Sequence, residues 1–279
     1  MPSIRHAAVA GLFYPSDASK LQHDVDGLLR NADSSEQSDK SHSVVLPPGR
    51  PKAIIAPHAG YVYSGSTAAR AYRLLRPYAE QTKRVVLLGP SHRVGFSGIA
   101  ASSADFYETP LGPIPLDQAK IEKALDCPGV TYMDQAHLQE HSLEVHLPFL
   151  QTVLRDFTLT PLVVGDCSAA ITGKVLDTLW GGDETLIVIS SDLSHFLDYD
   201  TANALDHATC KAIESFNGDA INFEQACGRN PIKGLLYEAN RHPLTIRTLG
   251  LCNSGDTAGD KSRVVGYGAW ACWEDTHHA

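Results

Sequence analysis

Three apolar runs of this chain each end in a histidine. Ala53 to Ala56 leads through Pro57 to His58, Val85 to Leu88 leads through Gly89-Pro90-Ser91 to His92, and Leu186 to Ile189 leads through Ser190-Ser191-Asp192-Leu193-Ser194 to His195. Each run reads as a buried β-strand feeding a polar loop. In an open α/β sheet, ligands bind in the crevice beyond the carboxyl ends of the strands, so imidazoles placed there meet although far apart in sequence. Imidazole is the commonest metal-binding side chain and the one that titrates nearest neutral pH. One strand-end histidine is more often a loop residue bonded to a carbonyl. Repetition at three strand ends points instead to a metal or acid–base site, with His58 and His92 on one side of an ion.

Other residues could take part. Asp192 shares the third strand end with His195. It either caps the turn there or orients the imidazole and raises its pKa, with His195 as general acid or base. The densest polar cluster is Glu140-His141-Ser142-Leu143-Glu144-Val145-His146. If it is helical, His141 and Glu144 share a face and His146 is rotated away from His141. Leu143, Val145, Leu147, Phe149 and Leu150 imply that the segment is mostly buried, and buried histidines and glutamates need partners. His141, Glu144 and His146 are therefore candidates for facing substrate or supporting the ligands, and His141 for helping His195 and Asp192 move protons, with an amphipathic surface turn as the alternative. Tyr61, with Tyr14, Tyr63 and Phe196, could line a cleft, although scattered aromatics more often fill cores. Cys227 precedes a helix expected near Pro231, whose positive end would favour thiolate. On the residues alone, a buried inert cysteine is the simpler reading.

The elements that must position these groups follow from the hydrophobic pattern. A helix opens at Ser16-Asp17 with Leu21, Val25, Leu28 and Leu29 on one face, and the Ser-rich stretch from 32 to 51 reads as a surface loop. Strands are expected near 52–57, 84–89, 97–101, 158–164 and 185–190, with helices near 65–79, 117–125, 142–154, 169–180 and 201–215. Residues 105–115 read as an irregular, proline-rich crossing. Two helical stretches flank Cys227, and strands at 244–252 and 263–272 close the chain. Alternating strands and helices predict a single α/β domain over 1–279, with a mostly parallel, mixed central sheet flanked by helices.

Composition narrows the classes. The chain has 279 residues, 43% of them hydrophobic, a formal net charge of -9 and six cysteines. With no basic stripe, a nucleic-acid partner is not expected. Apolar runs fall far short of the roughly 20 residues needed to span a bilayer, and the first residues lack the apolar core of a secretory signal. A cytoplasmic protein with reduced thiols is the expectation.

A family resemblance rests on ordered motifs over nearly the whole chain. They run from Arg5-His6-Ala7-Ala8-Val9-Ala10-Gly11-Leu12-Phe13-Tyr14 through Pro57-His58-Ala59-Gly60-Tyr61, Gly89-Pro90-Ser91-His92 and the cluster at 140–149. They continue with Ser190-Ser191-Asp192-Leu193-Ser194-His195, Cys227-Gly228-Arg229, Asn253-Ser254-Gly255-Asp256 and Val264-Val265-Gly266-Tyr267-Gly268-Ala269. This set resembles the Memo family (mediator of ErbB2-driven cell motility), whose prokaryotic members are called AmmeMemoRadiSam system protein B. The resemblance implies a fold shared with the catalytic subunit of class III extradiol dioxygenases and a metal site of His58, His92 and Cys227, with Asp192 and His195 beside it. It implies Fe(II) first, with Cu or Zn as alternatives, and a dioxygenase-like oxidoreductase function. Where ring-cleaving enzymes carry a glutamate this chain carries Cys227, which sets it apart from the two-histidine, one-carboxylate pattern. Zinc-dependent hydrolysis and a non-catalytic crevice that binds a peptide or handles metal are the competing functions. The resemblance further implies a small-molecule or peptide ligand, and AMMECR1-domain and radical-SAM proteins as partners.

Overall fold

The three histidine-bearing runs become neighbours at the centre of one sheet. The structure is a computed structural model and describes residues 2–38 and 45–275. In chain order its elements are β1 (Ile4–Arg5), α1 (Ala18–Ser38), β2 (Ala53–Ala56), α2 (Tyr61–Tyr72), β3 (Arg84–Pro90), β4 (Ile99–Ala101) and the pair β5 (Phe106–Thr109) and β6 (Gly112–Pro115). Next come α3 (Gln118–Leu125), β7 (Val130–Tyr132), α4 (Asp134–Leu138), α5 (Leu147–Val153), β8 (Thr158–Val164), α6 (Ala169–Leu179) and β9 (Thr185–Ser190). The chain ends with β10 (His195–Leu197), α7 (Tyr199–Glu214), α8 (Arg229–Glu238), β11 (Leu244–Asn253), α9 (Ser254–Thr257) and β12 (Val264–Glu274).

The main sheet runs β10-β12-β2-β9-β3-β8-β4-β7, with β11 on the other edge of β12. The inner pairs β2–β9, β9–β3 and β3–β8 are parallel, while β12 joins β2 and β4 joins β8 antiparallel. All of β2 and β9 and all but the first residue of β3 are buried, as expected for parallel strands covered on both faces. The chain passes from β2 through α2 to β3 across β9, and from β8 through α6 back to β9 across β3. These steps run in opposite directions, so right-handed crossovers place α2 and α6 on opposite faces. α1 and α5 pack with α2, and α8 packs on α6 and against β3 and β9. One hydrophobic core extends from Val9 to Trp273. The architecture is a single α/β domain with a mixed sheet flanked by helices. Among the described residues, no helix is long and apolar enough to cross a membrane.

Several boundaries differ from the sequence reading. The Ser-rich stretch is a loop only in part: α1 continues to Ser38, its Asp33 accepting a hydrogen bond from Arg76 at 2.8 Å. Residues 39–44 lie outside the described residues, as does the His277-His278 pair. The proline-rich segment 105–115 forms the β5–β6 hairpin of a small three-stranded sheet, β1-β5-β6. Pro113 and Pro115 fall on its edge strand β6, where a missing N–H is tolerated. The helix expected at 65–79 starts four residues earlier, at Tyr61, and ends in a 3-10 turn over Arg73–Tyr78. The segment 142–154 is helical only from Leu147, after a 3-10 turn over Glu144–His146.

Candidate metal centre

β2, β9 and β3 end side by side, and their loops deliver His58, Asp192 and His92 to one place. His58 is buried, and its backbone N–H donates to Asp192 Oδ1 at 2.7 Å. Its Nδ1 lies 2.6 Å from Ser190 Oγ, and that hydroxyl donates to the Ser142 carbonyl at 2.6 Å. With the hydroxyl proton so used, Ser190 can only accept from the ring, so Nδ1 carries the proton and Nε2 keeps its lone pair. Nε2 faces Cys227 Sγ at 3.5 Å and Asp192 Oδ2 at 3.9 Å. Burial, then the neighbouring histidines, hold the His58 pKa well below its usual value.

His92 is fixed the same way by a carboxylate. Glu140 accepts from the His92 backbone N–H at 2.5 Å and from Nδ1 at 2.9 Å, again freeing Nε2. The same carboxylate accepts from the backbone N–H groups of His141 and Ser142 at 3.0 and 2.9 Å. Burial alone would raise the Glu140 pKa, but these bonds, those from His92 foremost, hold it down to about 2. The His141 ring stacks on His92 with centroids 4.7 Å apart and stands edge-on to His58 at 5.5 Å. Burial brings its pKa down to about 4. One ligand atom from each of His58, His92 and His141 lies within 4.8 Å of the others. Three imidazoles converging on one point suit a transition metal.

That group shares His58 and His92 with the expected ligand set. His141, expected to help move protons, is the third member of the trio, and Cys227 Sγ lies beside it, 3.5 Å from His58 Nε2. Gly228 lets the thiol come this close: a Cβ there would lie 2.3 Å from the Ser190 carbonyl oxygen. α8 starts at Arg229, directly after Gly228, and burial, then Asp192, push the Cys227 thiol pKa well up. Asp192 also differs from expectation. It serves His58, while His195 Nδ1 donates to the Leu193 carbonyl at 2.8 Å. Burial pushes Asp192 up to about 7 and lowers the His195 pKa. His92, His195 and Cys227 line a cleft of about 780 Å³ whose walls include Phe96, Phe196 and Phe223.

The family model described as Memo-like protein matches residues 5–271. The chain belongs to the Memo family. It is 37% identical over 275 residues to a MEMO1 family protein of Aquifex aeolicus, covering 95% of this chain and 97% of that one. It is 33% identical over 292 residues to a MEMO1 family protein of Aeropyrum pernix, covering 95% and 98%. An uncharacterized protein of Escherichia coli K12 superposes with a TM-score of 0.49 at 14% identity, over 77% of this chain and 98% of that one.

In this Memo-family chain the remaining candidates lie apart from the cleft. Glu144 accepts from Arg5, from the backbone N–H groups of Ala8 and Val9 at 2.8 and 2.9 Å, and from the Tyr14 hydroxyl at 2.6 Å. It anchors the N-terminal segment. The Tyr61 hydroxyl donates to the Val145 carbonyl at 2.8 Å, and its ring packs on Phe149. His146 Nδ1 meets the Tyr72 hydroxyl at 2.7 Å, and among the described residues its buried Nε2 has no hydrogen-bond partner. Sequence reasoning passed over Glu140, the group that holds both His92 and the His141 backbone. The signal available was a carboxylate in a buried, histidine-rich segment, which does not distinguish it from Glu144.

Proposed function

We propose that the His58, His92 and His141 cluster, with Cys227 beside His58, holds a metal, Fe(II) before Cu or Zn, and that with a redox-active ion the chain is a metal-dependent oxidoreductase acting on a small molecule or peptide admitted through the cleft. The observation that carries this reading is the fixing of Nδ1 on His58 and His92 by Ser190 and Glu140, which leaves both Nε2 lone pairs free beside a third neutral imidazole. Orientation of a ligand ring through its other nitrogen is the usual support of a metal site. Bound there, the ion would supply one-electron and dioxygen chemistry with a substrate at its open positions.

The chain's own residues would do the rest. Glu140 and Ser190 keep the His92 and His58 rings aimed. His195, with Nδ1 bonded to Leu193, offers Nε2 to the cleft as the group that takes or returns a proton. Asp192, with Oδ2 3.9 Å from His58 Nε2, is placed to exchange a proton beside the cluster. Phe96, Phe196 and Phe223 would give the substrate side an apolar wall.

The test is oxygen consumption or superoxide production by protein purified anaerobically without an affinity tag and loaded with graded iron. Turnover should track loading and disappear in a His58→Ala, Cys227→Ser double variant. Full activity in that variant, or metal-independent turnover, would remove the proposal.

A further inference from the structure

α6 and α8 pack together on one face of the sheet, and their carboxyl-terminal ends bring three ligand-type side chains together. Asp166 lines the histidine cleft just before α6, and from Ala169 the helix carries the chain roughly 12 Å onward to Asp177. There Asp177 Oδ1 lies 3.2 Å from His242 Nε2. One ligand atom each from Asp177, Glu238 and His242 falls within 4.8 Å of the others. Glu238 and His242 are four residues apart on the turn that closes α8, where the His242 N–H donates to the Glu238 carbonyl at 2.9 Å. That spacing puts both side chains on one face. The His242 ring is stacked on Trp180 with centroids 4.1 Å apart, which fixes the direction of Nε2.

A second observation points to a missing partner. Glu238 is 0% exposed, yet among the described residues neither carboxylate oxygen receives a hydrogen bond. Its nearest cation is Arg241, with Nη1 3.8 Å from Oε2. A buried carboxylate without donors is costly, and burial, only partly offset by Arg241, raises the Glu238 pKa. Lys174 and Arg241 reach Asp177 at 3.1 and 3.3 Å, but both side chains are more than half exposed and can swing into water. The separation of Asp177 Oδ1 and His242 Nε2 is close to the roughly 3.3–3.5 Å edge of a tetrahedron with zinc bonds of about 2.0–2.1 Å.

We propose that Asp177, Glu238 and His242 form a second divalent-cation site of the zinc class, separate from the histidine cleft, that ties the end of α6 to the end of α8. Two carboxylate oxygens and one imidazole nitrogen are ligands zinc accepts, leaving one position for water.

Equilibrium dialysis of the full chain against Zn²⁺ tests this directly. The wild type should hold one equivalent more than either His242→Ala or Glu238→Gln, with each variant shown folded by circular dichroism. Zinc should also raise the thermal midpoint more in the wild type than in the variants. Arg241→Ala should bind the extra equivalent at least several-fold more tightly, since a competing cation is gone. Should His242→Ala fail to fold, the isosteric Glu238→Gln carries the test alone. Equal zinc content in the wild type and the folded variants would overturn the proposal, whatever the histidine cleft binds.

Discussion

Glu140 and Glu144 stand four residues apart in the same buried segment, at 1% and 0% exposure, and they do different work. Glu140 accepts only N–H groups of His92, His141 and Ser142. Its charge aims the His92 ring and holds the backbone that carries His141. Glu144 takes the Arg5 guanidinium, the N–H groups of Ala8 and Val9 and the Tyr14 hydroxyl. It fastens the N-terminal segment to the body of the domain. Arg5 links the two, since its Nη2 donates to the Glu140 backbone carbonyl at 2.6 Å. The same residue type and the same burial thus serve stability in one case and the site in the other. What separates them is the identity of the donors.

The largest expected effect comes from Glu144→Ala. It leaves the buried Arg5 guanidinium unpaired, which costs about 3–5 kcal/mol. Urea unfolding measures the loss, while the protein that remains folded should keep its metal affinity. Glu140→Gln should show the reverse balance, with metal affinity down about 10–100-fold in a competition titration and a smaller loss in unfolding free energy. If the two variants shifted stability and affinity in the same ratio, the division of labour would fail.

Acid sharpens the contrast from another side. Burial lowers the pKa of His137 to about 4 and that of His146 to about 3. Between the ordinary histidine value near 6.5 and these values, the unfolded chain binds protons that the fold excludes. Stability therefore rises with pH across that window and is lost as the pH falls through it. Thermal midpoints at pH 7 and 4.5 should fall less in His146→Gln than in the wild type. The smallest effect is Ser168→Ala, which removes the hydroxyl that caps α6 by accepting from Ile171 N at 3.3 Å. A loss of about 1 kcal/mol with no change in metal affinity is expected, and it calibrates the size of a change remote from both glutamates.

The central strands were legible because buried parallel strands are unbroken apolar runs, and His58, His92 and His195 follow such runs directly. The strand over 158–164 was read to the residue for the same reason. Long-range pairings were not legible. Asp192 lies three residues from His195, yet register across β2 and β9, with Ala56 opposite Ser190, gives it to His58. Glu140 works on His92 only because the 140–142 loop packs under the end of β3, where Ser142 Oγ donates to the Pro90 carbonyl at 2.7 Å. The hairpin at 105–115 was hidden because its prolines suit an edge strand and an irregular loop alike. The second turn group of Asp177, Glu238 and His242 carries no textual motif, since one ligand is some sixty residues from the others.

The most direct measurement is anaerobic Fe(II) equilibrium dialysis on the wild type beside His58→Ala, His92→Ala and His141→Ala, each checked for folding by circular dichroism. The account predicts about one equivalent bound by the wild type in the cleft and its loss or severe weakening in all three variants. Undiminished iron binding in any two folded variants would contradict it.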